Sequence, residues 1–226
     1  MTSPGTAVGP RWCLVVPVKP LHRAKTRLSA WSGSVLPSAA REDLALAFAV
    51  DTIDAAVRCP EVEIVVVVAD DPRLTDALRS MPVEVVPDVP AAGLNAALRY
   101  GAAVALNSHP ASGIGALSAD LPALRPRDLG TVLRGAAGHG LAMVADMDGS
   151  GTTLLLARAA GSFTPSFGGG SRRRHVAAGA VVLGADRVSL RRDVDTMAHL
   201  RSALALGVGA ATSAQAARVL RDDGAA

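Results

Sequence analysis

Residues 62–69 read Val-Glu-Ile-Val-Val-Val-Val-Ala, and the run stops at Asp70-Asp71-Pro72. Apolar β-branched side chains at successive positions point to both faces of a strand, so neither face can meet water. A strand of this kind needs helices above and below it, which selects a layered α/β fold. A second continuous apolar run, 12–18, ends at Pro20. Shorter runs at 83–86, 113–118, 141–145, 152–157 and 180–183 extend the series. Helical patterns lie between them. In 38–57, Leu44, Ala47, Phe48, Ile53 and Val57 recur at helical spacing. Further helices are expected from 72 through 78, over 93–106, over 126–133, from 171 to 178, over 196–206 and over 212–220. The alternation predicts a three-layer α/β/α domain with a mostly parallel sheet, spanning 1–226 with flexible tails at 1–11 and 221–226. No internal repeat or linker divides the chain.

Composition removes several classes of function. Half of the residues are apolar, enough for a core, but aromatics are 3% of the chain. Single-stranded nucleic acid needs stacking platforms that this sequence lacks. The net charge of +3 comes without a basic tract beyond Arg172, Arg173 and Arg174, so no nucleic-acid partner is expected. Cys13 and Cys59 are too few for a disulfide framework or a zinc site. No apolar run reaches membrane-spanning length, and residues 1–11 lack the apolar core of a signal peptide. A cytoplasmic protein acting on small molecules, with no membrane partner, is the expectation. A homo-oligomer is left open.

In an open parallel sheet, ligands bind beyond the carboxyl ends of the strands, and the unusual residues collect there. The protein has only two lysines, Lys19 and Lys25, both in the loop after the first strand beside Arg23 and Arg27. An ammonium is a compact charge on a flexible stem, suited to phosphate oxygens in a tight loop, so a polyphosphate site is expected. Asp71, Asp120 and Asp146 each follow a strand. Asp120, in Ala-Asp-Leu-Pro, suits a magnesium ligand or a helix N-cap. In Asp193-Val194-Asp195-Thr196, alternation puts both carboxylates on one face. Asp195 is expected to cap the following helix, leaving Asp193 to join Asp120 on metal. Arg191 and Arg192 are either screening charges or phosphate contacts. The glycine loops at 149–151 and 168–170 can turn backbone N–H groups toward an anion. Asn95 offers an amide to a nucleobase or ribose, with helix capping as the alternative. His175 reads as a packed histidine. No nucleophilic triad order is present.

Taken together, Val-Pro-Val-Lys, Ala-Lys-Thr-Arg-Leu, Asp-Asp-Pro, Gly-Leu-Asn-Ala-Ala-Leu, Ala-Asp-Leu-Pro-Ala-Leu, Gly-Thr-Thr-Leu-Leu, Phe-Gly-Gly-Gly-Ser and Arg-Arg-Asp-Val-Asp-Thr occur in this order. The set resembles the CofC/FbiD guanylyltransferases of deazaflavin coenzyme F-420 biosynthesis, over about residues 12–212. The resemblance implies a GT-A-like nucleotidyltransferase fold, with GTP and Mg2+ as co-substrate and cofactor. The implied acceptor is a phosphorylated three-carbon acid, phosphoenolpyruvate in the bacterial branch that this chain looks more like, and 2-phospho-L-lactate in the archaeal one. By similarity, Thr153, Gly168 and Ser171 would hold phosphoenolpyruvate, while Asp120 and Asp193 would hold magnesium. Pro17, Val18, Lys19, Lys25, Arg27, Asp71, Gly93 and Asn95 would form the nucleotide side, with Lys19, Lys25 and Asp120 catalytic. Two departures leave these ligands in place: Ala69 stands where the family has Thr, and the turn before Thr152 is Asp-Gly-Ser-Gly.

Overall fold

The computed structural model describes residues 11–31 and 34–223. The strands are β1 (Trp12–Pro17), β2 (Ala30–Trp31), β3 (Ser34–Val35), β4 (Val62–Val68), β5 (Glu84–Val86), β6 (Gly113–Leu117), β7 (Leu141–Ala145), β8 (Thr152–Ala157) and β9 (Val181–Val182). The helices are α1 (Ser38–Val57), α2 (Pro72–Leu78), α3 (Leu94–Ser108), α4 (Pro126–Ala136), α5 (Ser171–Ala177), α6 (Val188–Arg191), α7 (Met197–Leu206) and α8 (Ala210–Asp223). Parts of both expected tails belong to the fold. Arg11 is tied to β4 through Glu63, at 2.7 Å, and α8 carries the chain to Asp223. Residues 1–10 and 224–226 lie outside the described residues. The expected loop after β1 contains two 3-10 turns and the short β2–β3 pair.

Seven strands form one sheet in the order β5-β4-β1-β6-β8-β7-β9. Only β8 runs against its neighbours, pairing antiparallel with both β6 and β7. The reason is local. Residues 146–151 are too few for a crossover, so β7 must turn straight back into β8. The Asp146 carboxylate closes that turn by accepting the N–H groups of Ser150, at 2.9 Å, and Gly151, at 2.8 Å.

Strand side chains alternate between the two faces as the pleat requires. Leu14, Val16, Val65 and Val67 pack with Ile53 of α1, Leu74 of α2 and Leu133 of α4. Cys13, Val15, Val66 and Val68 meet Ala97, Leu98 and Ala102 of α3 on the other face. Gly101 sets how closely α3 lies: a Cβ there would stand 2.5 Å from Val15 Cγ1 and 2.8 Å from Val68 Cγ2. The side of α1 away from the sheet is buried as well. Leu44 and Phe48 join Met197 and Leu200 of α7 and Val219 of α8 in a third cluster. Asp51 of α1, 8% exposed, fixes α8 by accepting the N–H of Ala211 at 3.1 Å and of Thr212 at 2.8 Å. Free helix N–H groups favour a carboxylate at that end.

From β1 the chain builds outward through β4 and β5 on one side, and then returns to lay β6 on the other. The switch point between β1 and β6 opens a crevice at the carboxyl ends of these strands, where this class of sheet places ligands. Among the described residues no helix is long and apolar enough to cross a membrane.

Candidate active site

A cavity of about 540 Å3 opens at that switch point. Its floor is the end of β1 and β6 with Pro17, Val18, Ser118 and Asp120, and its apolar walls include Leu94 and Leu98 of α3 and Ala45 and Ala49 of α1. The loop carrying Lys19, Arg23, Lys25 and Arg27 closes one side, and Phe167 and Gly169 close another. Leu21, 1% exposed, anchors the loop, and its N–H donates to Asp71 Oδ2 at 3.3 Å. Lys19, Arg23 and Arg27 are exposed and take part in no ion pair among the described residues. Such cations at a cleft mouth raise the local concentration of an anionic ligand.

Lys25 behaves differently from its neighbours. Its backbone is left-handed, with φ of 55°, a conformation that costs an L-residue about 1 kcal/mol. Its side chain lies inside, where Nζ donates to Asp120 Oδ2 and, at 2.7 Å, to Asp195 Oδ1. Burial works against the ammonium charge, but Asp120 and Asp195 outweigh it and hold the pKa above its ordinary value. Asp195 responds in kind: burial raises its pKa, and Lys25, with help from Arg27, brings it below the usual carboxylate range.

Asp120 is held by its flanking backbone. Thr52 of α1, fully buried, accepts the N–H of Leu121 at 3.0 Å and donates to Phe48 O at 2.7 Å. The N–H of Val194 donates to Asp120 O at 3.0 Å, which brings Asp193 and Asp195 to the same place. Asp193 is pushed up to about 7, by burial first and then by Asp120, Asp195 and Asp146, with Lys25 opposing. Burial is the largest cause of that displacement, and the three neighbouring carboxylates add to it more than the one ammonium offsets. The donor set therefore fits a divalent cation. Among the described residues no ready-made cage of three or more ligating side chains exists. Magnesium does not require one, since it takes one or two carboxylates and completes its shell with water and phosphate oxygens.

Of the residues expected from sequence, Pro17, Val18, Lys19, Lys25, Arg27 and Asp120 line the cavity, and Asp193 stands beside Asp120. Several others are used elsewhere. Asp71 caps α2, accepting from Arg73 N at 3.0 Å, because Pro72 begins a helix whose free N–H groups need an acceptor. Gly93 is the N-cap of α3 at φ of 89°. Asn95 is taken by the backbone of Phe167 on both ends of its amide. Thr153 is buried and donates to Leu190 O at 2.8 Å, while buried Ser171 donates to Thr152 Oγ1 at 3.1 Å. Gly168, at φ of 118°, bends the loop that presents Phe167 and Gly169. Asp195 does not cap α7; Thr196 does, accepting from His199 N at 3.2 Å. Arg191 is structural, donating to Ala145 O, Asp146 O and Ala185 O. The anion gripped by the 149–151 loop is Asp146 itself.

Sequence reasoning did not single out Leu94, Leu98, Ser118 or Thr52. Ser118, directly after a buried strand, carried a readable signal. Thr52 carried none, because a threonine inside a helix looks like any other.

The family described as Guanylyl transferase CofC like matches residues 12–201. The phosphoenolpyruvate guanylyltransferase of Thermomonospora curvata is 53% identical over 209 residues, covering 92% of this chain and 90% of that protein. That of Streptomyces coelicolor is 52% identical over 211 residues, covering 93% and 98%. A putative nucleotide-diphospho-sugar transferase from Desulfovibrio desulfuricans superposes with a TM-score of 0.58 at 16% identity, over 86% of this chain and 96% of that one. The 4-diphosphocytidyl-2C-methyl-D-erythritol synthase of Anaerococcus prevotii gives 0.56 at 9% identity, over 87% and 96%. At such identities the structural likeness concerns the fold.

Proposed function

The chain belongs to the CofC-like guanylyl transferases, and on that premise we propose that it transfers the guanylyl group of GTP to phosphoenolpyruvate, releasing pyrophosphate, as a step in coenzyme F-420 biosynthesis. The single observation that carries this reading is the cavity itself. It sets Lys19, Arg23 and Arg27, exposed and in no ion pair among the described residues, against the carboxylate of Asp120, which Asp193 adjoins, with apolar Leu94 and Leu98 alongside. A triphosphate needs the first group, a divalent cation that would neutralise phosphate charge needs the second, and a nucleoside needs the third. The acceptor named for the homologues at 53% and 52% identity supplies the other substrate.

In this reading an acceptor phosphate oxygen attacks the α-phosphorus of GTP. A new P–O bond forms while the bond from the α-phosphorus to the bridging oxygen breaks, and that oxygen departs with pyrophosphate. A phosphate monoester is already anionic, so no strong general base is needed. Lys19, Arg23 and Arg27 hold the triphosphate and the leaving pyrophosphate, so alignment and charge neutralisation carry the rate. Lys25 fixes Asp120 and Asp195 before substrate arrives. Asp120 and Asp193 are the residues that would hold Mg2+, which when bound neutralises phosphate charge. Phe167 and Gly169 wall the acceptor, Gly168 and Ser171 shape that loop, and Thr153 ties β8 to the segment delivering Asp193.

Pyrophosphate release is the measurement that decides. Purified protein with Mg2+, GTP and phosphoenolpyruvate should release pyrophosphate and form enolpyruvoyl-diphospho-guanosine. Parallel arms replace GTP by ATP, and the acceptor by 2-phospho-L-lactate or a phosphoglycerate. Preferred turnover of another acid would reassign the acceptor, and silence in every arm would overturn the transferase reading of this site.

A further inference from the structure

The loop 166–170 contains Gly168, Gly169 and Gly170 in succession, with φ of 118° at Gly168 and 69° at Gly170. Such a loop has many accessible conformations and few side chains with which to choose among them. Yet Phe167 and Gly169 form part of the cavity wall. Something outside the loop must hold it. Asn95, at the start of α3, supplies two hydrogen bonds to one residue: the N–H of Phe167 donates to Oδ1 at 2.8 Å, and Nδ2 donates to Phe167 O at 3.2 Å. The side-chain amide thus does what a neighbouring strand would do, and the polarity of the Phe167 backbone fixes which end of the amide is oxygen.

Two further groups complete the hold. Arg174 donates to Ser166 O at 2.8 Å and to Gly169 O at 2.7 Å. His175 Nε2 accepts the N–H of Ser166 at 3.0 Å, which leaves the ring proton on Nδ1, facing Thr152 Oγ1 at 2.9 Å. Arg174 and His175 belong to the helix that the loop itself leads into. Among the described residues, Asn95 is the side chain that hydrogen-bonds the loop from another part of the fold, across 72 positions of sequence, while Phe167 also packs against an apolar cluster that includes Leu98. It also stands next to Leu94, whose side chain lines the same cavity.

We propose that Asn95 is a positioning residue for the acceptor, locking Phe167 and Gly169 into one wall of the site instead of contacting the nucleotide base. The proposal rests on the guanylyl-transfer reading and on the acceptor lying against that wall. A small anionic acid has few groups by which to be gripped, so its binding depends on a wall already in place. GTP is held mainly by its phosphates and gains little from this loop.

The test compares wild type with Asn95→Ala in two measurements. With Mg2+ present, the KM for phosphoenolpyruvate should rise about tenfold or more, while that for GTP stays within about twofold. Hydrogen exchange at residues 166–170 should accelerate, with the second half of α3 unchanged. Asn95→Asp keeps the acceptor for the Phe167 N–H and loses the donor, so its exchange should fall between the two. A GTP KM that rises in step with that of the acid, or an unchanged acid KM, would overturn the proposal. Wild-type exchange in Asn95→Ala would overturn it too, even if no acid is turned over. Silence of the wild-type protein toward every acid would instead overturn the function on which the proposal rests.

Discussion

Asp193 has a carboxyl group pushed up to about 7, against an ordinary value of 3.8. A folded value above the unfolded one means that ionisation opposes folding. The group's contribution to stability is whole below pH 3.8 and is lost as pH rises through about 7. The shift corresponds to roughly 4 kcal/mol at its limit, and solvent screening at this half-buried group reduces that to on the order of 2 kcal/mol. His175 runs the other way. Burial first, and then Arg174, lower it from 6.5 to about 4, so its contribution is present above 6.5 and lost as pH falls through 4. The two windows overlap with opposite sign, which hides each in the wild-type profile. Asp193→Asn removes one of them. Without divalent cation it should raise Tm by several degrees at pH 8 and by little at pH 4, while guanylyl transfer falls more than about tenfold. Thermal unfolding at both pH values is the check, and a variant less stable than wild type at pH 8 would refute the charge crowding inferred here. A stability cost at Asp193 is what its proposed metal-holding role would entail, since stability is commonly traded at functional sites.

The turn after β6 depends on α1 as much as on its own sequence. Thr52 bonds Leu121 N, one residue past Asp120, from a helix 69 positions earlier. Thr52→Val keeps the shape and removes the acceptor, leaving a buried N–H unpaired at a cost of about 1–3 kcal/mol. The turn can recover that bond only by shifting, and Asp120 shifts with it. The expected result is a kcat lowered about tenfold or more, an altered dependence on Mg2+, and a KM for GTP changed little. Thr52→Ser should restore most of kcat. Equal losses in Thr52→Val and Thr52→Ser would show that the methyl group, not the hydroxyl, is what matters. Elements also explain why the sheet is mostly parallel, as expected, and antiparallel only at β8. Parallel strands β4, β1 and β6 are separated by helices, whereas β7 and β8 are joined by a turn that cannot reach across.

The whole molecule is nearly neutral, with a net charge of +3, but Lys19, Arg23 and Arg27 at the cavity mouth are exposed and form no ion pair among the described residues. Attraction of GTP should therefore weaken with salt, since screening shortens the reach of exposed charges. Raising ionic strength from about 0.05 to 0.5 M is expected to increase the KM for GTP several-fold, and a Lys19→Ala, Arg23→Ala, Arg27→Ala triple variant should flatten that dependence. A triple variant as salt-sensitive as wild type would place the triphosphate elsewhere. At this scale the division between sequence and structure becomes clear. The strands, the helices and the placing of Lys19, Asp71, Asp120 and Asp146 at strand ends were legible in the sequence, because periodicity and burial are written in neighbouring residues. Tertiary structure decided how those groups are used. Lys25 reaches Asp120 and Asp195, which lie 95 and 170 positions away, and Asn95 bonds the backbone of Phe167, 72 positions on. A polar side chain in a loop or at a helix start satisfies whichever partner folding brings within about 3 Å, and only the assembled sheet determines which partner that is.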